Sequence, residues 1–415
     1  MFATYGDEEA ALKHLRYFLL TKVVFLAGCG GGPTLAQRQV ESAPAVHALQ
    51  DGQFDDALSQ SNTILEKQPQ TPEALLVRAI TRYRTTVNQL VLDGRTLAMG
   101  LDAGGINQRY LSAAAKQAEA DLALVDRDLA EAQKSTDVSL ELCLACWKGI
   151  DWNGDGRVNH RDELLLQIEV DAQGKPIPED DPRRTPTFRF DDGDIAWARA
   201  FVGFERAALD IVLAYDFNGV NDVLRDERNT KRLVLKLVDK QRVADAKQRL
   251  LEAIDQSAAC RRAFLAETDD DREWVPNPRQ KSHPIPLDVD QALYDTWGGV
   301  LEDLRKIVNG DEGIGVADVA DLLKGEITVS GARGFVNIGA MLDHPKDIVI
   351  VSDDIEMLEK RSTNLGAVLS TMLGEYYVAS MKPSALPKRL ARMKGEIDAH
   401  QDEFEHKLRY VFWLN

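Results

Sequence analysis

The chain has 415 residues and carries 50 Lys and Arg against 67 Asp and Glu, a net charge of −17. Hydrophobic residues make up 44 % and charged residues 28 %, the composition of an ordinary globular protein rather than a collagen-like, coiled-coil or disordered one. The negative balance excludes a sequence-independent nucleic-acid binder, no run reaches the roughly 18 apolar residues of a membrane span, and the length suits two or three domains.

In residues 13–29, basic residues precede a short apolar run that ends in small residues, the layout of a secretory signal. Leu26-Ala27-Gly28-Cys29 resembles the lipobox of bacterial lipoproteins. That resemblance implies a signal peptide over 1–28, a palmitate-type acyl anchor on Cys29, and a cell-envelope protein facing the periplasm or on the outer membrane. Gly30-Gly31-Gly32 then begins a flexible tether over 29–42. Asp7, Glu8, Glu9 and Lys22 depart from the signal pattern. The alternative is an amphipathic first helix of a cytosolic protein.

Beyond the tether the pattern is helical. The run from Gly52 through Ala57 to Pro69, with entry into a new helix at Pro72-Glu73-Ala74, resembles a tetratricopeptide repeat passing into the next. Arg78 stands where leucine is usual in such repeats. The resemblance covers residues 43–85, one and a half repeats, and so implies a helical-hairpin scaffold, since solenoids need about three repeats to bury a continuous core. Residues 106–133 read as a long amphipathic helix. Asp194 then caps a helix whose stripe Trp197, Phe201, Phe204, Ala208, Ile211, Tyr215 keeps three–four spacing. The stripe reads as a core face, with a ligand groove as the alternative.

Residues 266–286 are Asp- and Pro-rich and read as a linker. Helices are expected near 287–308, 353–378 and 386–409, with Ile348-Val349-Ile350-Val351 as the one strand-like run. The expected fold is mainly α: a helical-hairpin segment over 43–135, a helical segment over 136–265 and a C-terminal mainly helical domain over 287–415.

The most specific motif is residues 151–162. Asp151, Asn153, Asp155, Asn159 and Asp162 fall at loop positions 1, 3, 5, 9 and 12, with Gly156 at the sharp turn of position 6. This spacing resembles the EF-hand calcium loop, and Asp162 in place of the usual Glu makes it more similar to the dockerin loop. The resemblance implies Ca2+ held by Asp151, Asn153, Asp155, the Arg157 carbonyl, Asn159 and Asp162. Glu163 is an alternative last ligand. Val158 is expected to anchor the loop to the core, between helical flanks at 140–147 and 162–170. No complete second loop follows, so cohesin binding is not implied.

Cys143, Cys146 and Cys260 remain after Cys29, and an oxidising envelope permits one disulfide between two of them, the pairing left open. None of the seven histidines falls in HExxH or HxxEH spacing, and neither GxSxG nor a phosphate-binding GxxxxGK[ST] loop occurs. Asp191-Asp192 and Asp353-Asp354 precede helices, where acids favour the dipole. No catalytic residue is assigned. The expectation is a calcium-binding, lipid-anchored envelope protein acting as a helical scaffold or protein-interaction module, with a protein partner in the envelope. The alternative is an envelope enzyme acting on glycans or peptides through a dispersed site.

Overall fold

Four helices open the described chain: α1 (Leu35–Gln50), α2 (Phe54–Lys67), α3 (Pro72–Asp102) and α4 (Gln108–Ala132). The computed structural model describes residues 34–102, 105–135, 137–147, 150–151, 156–164, 166–171, 173–225, 232–268, 272–280, 283–286, 289–322, 328–330, 333–351 and 362–399. The chain divides at Glu41–Ser42 into two units, and the elements after α1 lie in Ser42–Asn415. The signal, Cys29 and the start of the tether lie outside the described residues.

Local chemistry sets these helix ends. Asp55 and Asp56 sit in the first turn of α2 and Lys67 in its last, each matching the helix dipole. Pro72 opens α3, where a missing N–H leaves no bond unmade. Asn107 caps α4 by accepting the Tyr110 N–H at 3.1 Å.

The middle of the chain holds β1 (Leu140–Leu142), α5 (His160–Leu164), β2 (Phe188–Phe190), α6 (Asp192–Ala214), β3 (Tyr215–Asp216), α7 (Asn218–Arg225), β4 (Arg232–Leu237), α8 (Lys240–Ala266) and α9 (Gln291–Asn309). The C-terminal part alternates short pieces: β5 (Ile314–Gly315), α10 (Val316–Leu322), β6 (Thr328–Ser330), β7 (Phe335–Val336), α11 (Ile338–Asp343), β8 (Ile348–Val351), β9 (Ser362–Asn364), α12 (Leu365–Leu373), β10 (Tyr377–Val378) and α13 (Leu386–Ala399). The fold is mainly helical, as expected. The run at 348–351 is a strand, and it pairs antiparallel with β4, Leu233 opposite Ile350. The short strands around it had no counterpart in the sequence reading. The same holds for β9, which lies in the span read as helix over 353–378.

Helix α6 is the spine. It packs against α4 on one side and α8 on the other. Ile195 and Val202 enter a core with α1–α4, Ala196 a second core with Phe188, Phe264 and Trp274, and Ala214 a third with Val243 and Leu301. Trp274, Val275 and Ile285, from the Asp- and Pro-rich stretch, are buried in the second core. Close approach demands glycine at 193, where a Cβ would fall 2.5 Å from the Phe264 ring. The α4, α6 and α8 faces are keyed by ions: fully buried Asp210 meets Arg242 at 2.6 Å and Arg249 at 2.7 Å, while Glu119 meets Arg206 at 3.1 Å.

Three local expectations are corrected. The cap of α6 is Asp191, and Asp194 is its reciprocal partner three residues on, its carboxylate accepting the Asp191 N–H at 2.9 Å. The segment before the calcium-type loop is not an α-helix but β1 and a 3-10 turn over Leu144–Cys146. Its burial alternates at Leu140, Glu141 and Leu142, the period of a strand, and it pairs with β2. The exiting helix α5 is only five residues long.

Candidate functional site

A cavity of about 390 Å³ lies between α3, α6 and the β1 segment. Its walls follow from helical spacing. α3 turns Leu76, Ala79, Ile80, Tyr83, Val87 and Val91 to one side, the three–four rhythm of a single face. α6 answers with Ile195, Ala198, Phe201 and Val202, and α4 with Val125 and Leu129. Small Ala79 and Ala198 stand among large neighbours, which leaves room between the helices. Leu140, Leu142, Leu144, Trp147 and Ile150 close a further wall, with Leu166, Phe190 and Trp274.

Aromatic contacts hold that wall in shape. Trp197 and Phe201 stack with centroids 5.7 Å apart and planes 8° from parallel, and Tyr83 meets Phe201 edge-on at 6.4 Å. The α6 stripe therefore does two jobs. Its first part, Trp197 and Phe201, lines the cavity, whereas Phe204, Ile211 and Tyr215 pack in the third core. Ala208 is exposed.

Few polar groups reach this space. The Tyr83 hydroxyl donates to Glu205 Oε1 at 3.0 Å. Burial pushes the Glu205 carboxyl up to about 7, with the Tyr83 hydrogen bond opposing. Asp194 lines the cavity and is 4 % exposed; burial lifts its carboxyl well above the ordinary range, and Asp191 adds to the rise. Its Oδ1 has no hydrogen-bond partner among the described residues. The same is true of the Trp147 indole Nε1 and of Arg84 Nε. Nothing local in the sequence announces the cavity; the nearest signal is the Trp197–Phe201 pair opposite an alanine-bearing face of α3.

The cysteines are settled by distance: Cys143 and Cys146 form a disulfide with Cα atoms 5.3 Å apart, and Cys260 is a free, buried thiol. Burial raises the Cys260 thiol far above its ordinary value. The disulfide closes the turn that carries Leu144 and Trp147 to the cavity.

Of the loop at 151–162, Asn153 and Asp155 lie outside the described residues. The rest fits a hard-cation loop in its chemistry. Asp151 Oδ2 accepts the Gly156 N–H at 2.6 Å, and Gly156 takes φ +82°, a left-handed turn that favours glycine. Asn159 precedes α5, and its N–H donates to Asp162 Oδ2 at 2.9 Å, with Asp162 buried. Arg157 is exposed. Val158, expected as a core anchor, is instead 46 % exposed. Ile150 and Leu166, on either side of the loop, both line the cavity.

A second acidic group was not foreseen. Asp191, Glu267 and Glu273 offer carboxylate oxygens within 4.8 Å of one another, an arrangement able to hold a metal. Arg189 already supplies counter-charge there, 3.2 Å from Glu273 and 3.5 Å from Asp191. No family model, curated protein or solved structure matches this chain.

Proposed function

We propose that this chain is a lipid-anchored protein of the bacterial cell envelope whose helical body binds a small apolar ligand. The observation that carries the reading is the cavity of about 390 Å³, which falls within the roughly 300–1,000 Å³ of ligand pockets. Its lining is almost wholly side-chain hydrocarbon, so a ligand gains by leaving water rather than by reacting. Calcium at 151–162 would act as a staple: Asp151, Asn153, Asp155, the Arg157 carbonyl, Asn159 and Asp162 would hold the ion and brace the wall between Ile150 and Leu166. Cys29 would carry the acyl anchor, and the hairpin of α2 and α3 would serve as the tetratricopeptide-like scaffold around the ligand. A protein partner in the envelope would deliver or receive that ligand.

The test is binding of N-phenylnaphthylamine, an apolar probe excited by energy transfer from Trp147, Trp197 and Trp274. Saturable one-to-one binding is expected, markedly weakened in Ala198→Phe, which narrows the cavity while remaining apolar. Unchanged binding in that variant, or none in the natural chain, overturns the proposal. Cys29→Ser should separately release the protein from membranes; retention would remove the anchor.

A further inference from the structure

We propose that the Cys143–Cys146 disulfide is an exchange site for a partner dithiol, and that its reduction loosens the cavity wall and weakens ligand binding. The exchange stands on the turn itself; the effect on the ligand rests on the cavity reading above. The bond closes a Cys-Leu-Ala-Cys turn. Cys146 is exposed and Cys143 half-buried, whereas Cys260 is buried. Exchange needs a sulfur that an incoming thiolate can reach, and among the described residues this pair supplies it.

The surroundings set which sulfur is attacked. Cys143 Sγ lies 3.5 Å from the Thr185 carbonyl oxygen, at the end of a 3-10 turn over Pro182–Arg184. The partial negative charge of that oxygen repels a thiolate coming to Cys143, so the exposed Cys146 is the target. A disulfide sulfur has no hydrogen to give the carbonyl, but a reduced Cys143 thiol donates to it. One thiol of the partner, deprotonated, forms a bond to Cys146 Sγ as the Sγ–Sγ bond breaks and Cys143 departs as a thiolate. Cys143 takes a proton from water and donates to the Thr185 carbonyl. The partner's second thiol gives its proton to water, attacks the partner's own sulfur in the mixed disulfide and releases Cys146, which is protonated in turn. Two electrons and two protons have passed from the dithiol to the two cysteines, and the partner is left as a disulfide.

The consequence for the cavity follows from what else holds the turn. Its backbone contributes the Cys146 N–H to the Cys143 carbonyl at 3.0 Å and the Trp147 N–H to the Leu144 carbonyl at 3.3 Å. Leu144 within the turn and Trp147 at its end both line the cavity. Cutting the disulfide removes the covalent tie across these residues. Trp147 keeps its edge-on contact with Phe54, ring centroids 5.3 Å apart, so the wall loosens rather than collapses. A ligand against that wall loses contacts and binds several-fold more weakly.

The experiment exposes the full folded chain to dithiothreitol, blocks thiols with iodoacetamide at intervals, maps them by mass and measures N-phenylnaphthylamine affinity on the same samples. Cys143 and Cys146 are expected to label in the folded protein at a rate that low urea leaves unchanged. Probe affinity should fall several-fold on reduction and return when oxidised dithiothreitol reforms the bond. The Cys143→Ser, Cys146→Ser double variant should bind weakly and respond to neither reagent. With oxidised glutathione, Cys143→Ser should form its mixed disulfide on Cys146 several-fold faster than Cys146→Ser forms one on Cys143. Reduction that tracks unfolding as urea is raised overturns the exchange site, and equal or reversed capture rates overturn Cys146 as the attacked sulfur. If the pair exchanges but probe affinity stays constant, the coupling falls and the cavity reading stands. If the oxidised chain binds no probe, the cavity reading falls and the coupling with it, while the labelling decides the exchange.

Discussion

Arg78 grips Asp128 with two parallel hydrogen bonds, Nε to Oδ2 at 2.8 Å and Nη2 to Oδ1 at 2.7 Å. Arg82, one turn along α3, adds a third at 2.6 Å, and Asp128 is 1 % exposed. The fork locks α3 onto α4 and accounts for a cation where a repeat helix would carry leucine. Asp128→Ala leaves two sheltered guanidinium groups without their acid and should cost about 3 kcal/mol, read by urea unfolding. Val125 and Leu129 flank Asp128 and line the cavity, so probe binding should weaken as well. A loss under about 0.5 kcal/mol would reduce the fork to a surface ion pair.

Glu205 makes stability depend on pH. Its folded value is about 7, raised from an ordinary 4.5 mainly by burial. The folded state therefore holds the proton more tightly, and this stabilisation is complete below pH 4.5 and lost as pH rises through 7. The full change is on the order of 3 kcal/mol. Glu205→Gln should flatten the unfolding free energy between pH 5 and pH 8 and make the protein more stable at the upper end. A natural chain already flat over that window would remove the effect.

Calcium should raise the melting temperature and a chelator should lower it. An ion that binds only the folded loop stabilises by about 2.7 kcal/mol at a hundredfold excess over Kd. Asp151→Ala combined with Asp155→Ala should abolish the response, and should lower the metal-free melt only modestly, through loss of the Gly156 N–H bond to Asp151. Asp162→Ala should cost more than the ion alone, since Asp162 also caps α5 through the Asn159 N–H. If Glu163 supplies the last ligand, calcium affinity survives in that variant and only the cap is lost. No calorimetric heat with the natural chain would leave the loop as a turn.

The disulfide should matter more for ligand binding than for stability. Cys143 and Cys146 are three residues apart, so the closed loop is short and its chain-entropy contribution is at most about 2 kcal/mol. The turn it closes presents Leu144 and Trp147 to the cavity. Cys143→Ser with Cys146→Ser should weaken the apolar probe several-fold with only a modest drop in melting temperature. Buried Cys260 should resist alkylation until the protein is unfolded; fast labelling of the native thiol would contradict its burial.

What the sequence by itself determined are features written in neighbouring residues. The amphipathic rhythm of 106–133 becomes α4, the β-branched run at 348–351 becomes β8, and glycine at 156 marks a turn that needs positive φ. Each depends on contacts within a few positions, so spacing and residue type suffice. Tertiary structure alone decided the rest. Leu140–Leu142 reads as helix by composition but pairs with Phe188–Phe190, some fifty positions away, and strand pairing leaves only a three-residue trace. Arg78 reads as a mismatch until Asp128, equally distant, arrives opposite it. One periodic stripe on α6 serves a cavity at Trp197 and a core at Ile211, because hydrophobic period reports which side of a helix is apolar and not what fills the space against it. Arg84 gives no local signal at all. Its seat over the Phe54 ring exists only because α2, α3 and the turn that carries Trp147 meet there, and that meeting is a property of packing over long sequence separations.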